Sequence, residues 1–222
     1  MYQSIVYKEW IKTGKLVILA SVLFLSAIAY SFISTAQILR LNGAVDVWET
    51  IIMKDLPLLS TLKWLPLLAA ILLALAQYIP EMQNKRLKLT LHLPLPEIFV
   101  VTTMLGFGIV VLLSIFTITY AVLLTGLRIW FAPEIVLLSF YASLPWFVAG
   151  LAAYLLTAWI CLEPVWRRRI VYVVFAIGCL SLFFIGARSG GYNSFIPYLI
   201  VVTVLGALFP FYSVARFKEG AQ

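Results

Sequence analysis

Apolar positions along this chain gather in six long, nearly unbroken runs, at residues 16–38, 56–79, 98–124, 135–162, 170–187 and 195–215. A helix needs about 20 apolar residues to cross a hydrocarbon core roughly 30 Å thick, and these runs meet that need. They are continuously apolar and do not alternate over about ten residues, so they predict membrane helices and not barrel strands. The first run covers 23 residues. The apolar part of a cleaved signal peptide covers only about 7–15, so this run is expected to be a retained first helix. The longest polar interval, residues 80–97, has 18 residues and cannot hold a globular domain. The pattern predicts an all-α membrane protein with six transmembrane helices in a single domain over residues 1–222.

The intervals carry patterns of their own. Over residues 3–15, Val6, Tyr7, Trp10, Ile11 and Gly14 share one helical face, with Lys8, Lys12 and Lys15 opposite and Glu9 beside them. That predicts an interfacial amphipathic elbow helix, with Trp10 at headgroup level, the lysines toward water and a bend at Gly14. Residues 39–55, with Asp46, Glu49 and Asp55, read as a solvated outer loop holding a short interfacial helix. In the interval after the second run, Pro80 is expected to start a separate helix with Glu81 in its first turn, and Pro94 and Pro96 to stop it. Leu87 to Leu93 alternates as a strand would. A lone strand at a membrane surface has no pairing partner, so a helix is preferred. Gly106, Gly108 and Gly178 are expected to permit close helix contacts.

Composition narrows the function. The chain is 64% hydrophobic and 11% charged, with mean hydropathy +1.05, against about 45–50% and 25% in soluble domains. A water-soluble enzyme, a disordered tail and a nucleic-acid module are excluded. Of the lysines and arginines, 11 fall on the side of the N-terminus, second loop, fourth loop and C-terminus, and five on the other. Positive charge marks the cytoplasmic face, so both termini are expected there. The net charge of +7 reads as topology plus attraction to anionic membrane lipids. Catalytic and metal-ligating patterns are missing. His92 is the only histidine, and the sequence shows no zinc spacing, Ser–His pair, buried carboxylate pair or phosphate-binding loop. Lys63, within the second run, can snorkel outward. Cys161 and Cys179 read as packing residues. Energy for any work is expected from a partner at the cytoplasmic face.

Six spans with both ends inside, the N-terminal Lys8-Glu9-Trp10, and a second-span exit reading Glu81-x4-Arg86-Leu87-x6-Pro94-Leu95-Pro96 resemble the ABC-2 type membrane (permease) subunits of ABC transporters. The Leu93-Pro94-Leu95-Pro96 stretch is also similar to the related haem-exporter-type subunits. The family often has a glycine after the coupling glutamate, where this chain has Asn84-Lys85-Arg86. The resemblance implies a permease of the cytoplasmic (inner) membrane, working in export and paired with a second copy or a similar chain. Separate ATP-binding subunits would bind the ATP, with no cofactor or catalytic site in this chain. It further implies a cytoplasmic coupling helix between spans two and three. Docking would then fall to Glu81, Asn84, Lys85, Arg86 and Lys88, with Glu163, Arg167 and Arg168 as a second contact. Spans two and five would line the path, making Trp64, Gln77, Tyr172 and Phe175 pathway candidates. The competing reading is a non-transport scaffold or assembly factor that recruits partners through the same basic loops.

Overall fold

The computed structural model describes residues 2–53, 59–83, 96–185, 192 and 194–218. Every regular element among them is helical: α1 (Tyr2–Met53), α2 (Leu65–Met82), α3 (Glu97–Trp130), α4 (Pro133–Leu162), α5 (Trp166–Ser181), α6 (Ile196–Gly206) and α7 (Leu208–Lys218), with 3-10 turns at Ser60–Leu62 and Leu182–Phe184. Among the described residues, five helical segments are long and apolar enough to cross a membrane: Gln3–Leu41, Leu65–Met82, Ile98–Trp130, Pro133–Leu162 and Ile196–Arg216. The run expected at 170–187 forms the shorter α5, continued by the 3-10 turn.

The first helix departs most from the sequence reading. Elbow, span and outer helix are one continuous helix of 52 residues. No proline interrupts it, and helix rise makes it about 78 Å long. Gly14 does not bend it; the Trp10 indole lies over the bare Cα, where an added Cβ would sit 3.6 Å from the ring. The polarity is also turned around. Tyr7, Trp10 and Ile11 are exposed, whereas Ile5, Glu9 and Thr13 are buried against the bundle. In a bilayer the apolar face belongs outside and the polar face needs partners inside.

A second correction concerns Pro80 and Glu81. They do not open a separate helix; they end α2, which runs on to Met82 with Pro80 inside it. Asn84, Lys85, Arg86, Lys88 and the Leu87–Leu93 stretch with His92 lie outside the described residues, as do the side chains of Asp46 and Glu49.

The central element is α4, which packs against α2, α3, α5, α6 and α7. Its buried stripe includes Ala149, Gly150, Ala152, Ala153 and Ala158, and small residues let membrane helices approach closely. At Gly150 an added Cβ would lie 2.9 Å from the Pro66 carbonyl oxygen, so backbone meets backbone where α2 crosses α4. Gly108 is filled by the Tyr154 ring, whereas Gly106 and Gly178 face open space, contrary to expectation. Mid-bundle, Phe24, Phe116 and Phe147 pack ring to ring across α1, α3 and α4.

Candidate functional site

Polar contacts gather the helix ends that carry most of the described basic residues. The start of α1, the end of α2 and the start of α3 meet through Lys12, Gln77 and the Met104 carbonyl. The end of α4, the start of α5 and the end of α7 meet through Glu163, Arg169 and Arg216. Tyr78 and Tyr154 join the two groups, with their hydroxyls 3.1 Å apart. This is the basic end. Toward the opposite end the contacts are mainly aromatic: Trp64 stacks on Phe184 at 4.5 Å, and Phe32 meets Trp130 edge-on at 5.8 Å.

The first polar group centres on Glu81, whose side chain is 1% exposed. It sits in the last turn of α2, where the helix dipole disfavours a negative charge. Two cations from α1 offset that cost. Lys12 Nζ lies 2.8 Å and Lys8 Nζ 2.9 Å from the same oxygen, Oε1. Lys12 also pairs with Glu9 Oε1 at 2.6 Å, an ion pair without hydrogen-bond geometry. Glu9 Oε2 and Glu81 Oε2 have no hydrogen-bond partner among the described residues. Two carboxylates and two ammonium groups balance in charge, but the oxygens are under-served. Beneath them Gln77 is fully buried, donating to the Met104 carbonyl at 2.8 Å and accepting from the Tyr154 hydroxyl at 2.8 Å.

The second group centres on Glu163, at the C-terminal cap of α4 and also fully buried. Here both oxygens are served. Arg216 donates to Oε1 at 3.2 Å and Ser213 to Oε2 at 2.9 Å, both from α7. The Glu163 carbonyl accepts from Arg169 Nε at 2.6 Å. One residue thus binds α4 to both α5 and α7.

These positions revise the expected site. Glu81 and Glu163 do not present their carboxylates outward; each is spent inside the chain on other helices. The sequence reading found no buried carboxylate pair, yet Glu9 and Glu81 meet through Lys12. Lys8 is half-buried, while Lys15, Trp10, Arg167 and Arg168 are exposed. The pathway candidates do not converge. Gln77 is sealed in the core and Trp64 stands at the far end of α2. Tyr172 stacks on Trp159 at 3.9 Å with Phe175 edge-on to the same indole. Sequence reasoning passed over Tyr78, Tyr154, Ser213 and Arg216. The available signal was polar spacing at helix ends, as in Gln77–Glu81 and Ser213–Arg216. Among the described residues no three histidines, cysteines or acids gather as a metal site.

Comparison with family models, curated proteins and solved structures finds no match to this chain.

Proposed function

We propose that the chain is the membrane subunit of an ATP-driven exporter of the ABC-2 type, crossing the membrane six times with the basic end in the cytoplasm. The sixth crossing is α5 with its 3-10 turn. Its apolar part, from Ile170 through the turn ending at Phe184, rises about 24 Å. The 18 residues of α2 rise about 27 Å, and the two elements finish side by side at the Trp64–Phe184 stack. Separate ATP-binding subunits supply the energy and dock on the 84–95 segment. Two copies, or this chain with a similar one, enclose the path.

The observation that carries this reading is the place of Glu81. It lies at the mouth of the proposed docking segment and is ion-paired to the first helix. A push on the segment would reach α1 through Lys8 and Lys12, and α4 through the Tyr78–Tyr154 contact. Glu81 would therefore transmit force and not touch the ATPase. The test is co-expression with a candidate ATP-binding subunit, reading co-purification and ATP hydrolysis in lipid vesicles. Arg86→Ala should weaken assembly by about 30-fold or more, as for a desolvated charged contact losing its partner. Glu81→Gln should assemble normally but lose most of the hydrolysis stimulated by the membrane subunit. Failure of the wild-type chain to retain any ATP-binding subunit would refute the proposal.

A further inference from the structure

At the basic end, an open groove of about 850 Å³ runs between α2, α4 and α5. Small-molecule sites span about 300–1,000 Å³. Its walls are apolar, with Ile79 from α2, Ile160 from α4, and Ile170, Val173 and Val174 from α5; Arg169 stands among them. Ile79, Ile170 and Val174 are exposed, and none of the described residues covers them.

The cation in the groove is held in place. Arg169 Nε donates to the Glu163 carbonyl at 2.6 Å, and its guanidinium lies 6.0 Å from the Trp166 ring centre. Its two terminal amino groups have no acceptor among the described residues. The Glu163 carboxylate makes no ion pair with it; Arg216 already matches that charge, and Ser213 serves the other oxygen. Arg167 and Arg168 are exposed beside it, and the first turn of α5 contains no acid. Three guanidinium groups thus crowd the positive end of a helix dipole, an arrangement that an anion would relieve. A guanidinium whose Nε is already anchored offers two parallel donors to a phosphate.

We propose that this groove binds one anionic phospholipid from the leaflet at the basic end. Its phosphate sits on the Arg169 amino groups, and an acyl chain lies along Ile170, Val173 and Val174. The site needs only a membrane-embedded chain and does not rest on the transport reading.

The test is native mass spectrometry of the full chain in mild detergent, titrated separately with phosphatidylglycerol, phosphatidylcholine and soluble glycerol phosphate. Phosphatidylglycerol should bind at least about tenfold more tightly than phosphatidylcholine, as expected for charge-assisted contacts. Arg169→Gln should abolish that preference. Val174→Trp, at an outward position that tolerates bulk, should fill the groove and weaken both lipids. Equal binding of the two lipids by the wild-type chain would overturn the proposal. So would wild-type lipid binding in both variants, or displacement of the lipid by glycerol phosphate at comparable concentration, which would indicate a site for free phosphate instead.

Discussion

Glu81 and Glu163 are two answers to one problem. Each is a buried acid at the C-terminal end of a helix, where the dipole disfavours it, and each is neutralised by cations from a helix distant in sequence. Glu163 has one arginine and one serine, with a donor for each oxygen. Glu81 has two lysines on one oxygen and none on the other, with the under-served Glu9 alongside. A separate donor on each oxygen fixes the orientation of the Glu163 carboxylate, whereas a lysine is a point charge on a flexible stem. The Glu163 tie is therefore a clamp, and the Glu81 tie is a joint that can change partners. The clamp closes α4 onto the last helix, while the joint borders the segment proposed to receive a partner.

The sharpest way to break this contrast is to empty the clamp. Arg216→Ala leaves Glu163 buried and uncompensated, and should cost about 3–5 kcal/mol of stability, read as thermal unfolding in mild detergent. In a Glu9→Gln background, where the second acid paired to Lys12 is gone, Lys12→Ala should cost less, about 2–3 kcal/mol, because Lys8 still reaches Glu81 Oε1. If Lys12→Ala proved the more damaging, clamp and joint would have to be exchanged. Lys8→Ala should be mildest, under about 1 kcal/mol, since the Lys8 side chain is 41% exposed and Lys12 keeps the pair.

Much of the helix plan was legible because prolines and apolar runs are local signals. Pro96 precedes α3, and Pro133 opens α4, close to the expected starts at 98 and 135. The continuity of α1 was hidden because charge was read as an order to face water. Glu9 and Lys12 are instead charges that face inward, and the residue that makes this affordable, Glu81, is 69 positions away from Lys12. The same separation hid the site. Glu81 and Glu163 stood out as acids beside basic loops, which suggested outward docking. That their oxygens would be spent on Lys8, Lys12, Ser213 and Arg216 follows only from helix packing. Gly150 was missed for a related reason: a glycine matters in a span where another backbone crosses it, and the crossing with Pro66 is tertiary.

The contrast between joint and clamp is tested most directly by amide hydrogen exchange on the wild-type chain in lipid nanodiscs. Both ties lie at the same end of the bundle, so the comparison is internal to one sample, and exchange reads the free energy of local opening. The account predicts faster exchange in residues 5–13 and 77–83, around Glu81, than in residues 155–163 and 209–216, around Glu163. Lys12→Ala should widen that gap. Equal protection of the two regions, or slower exchange around Glu81, would contradict it.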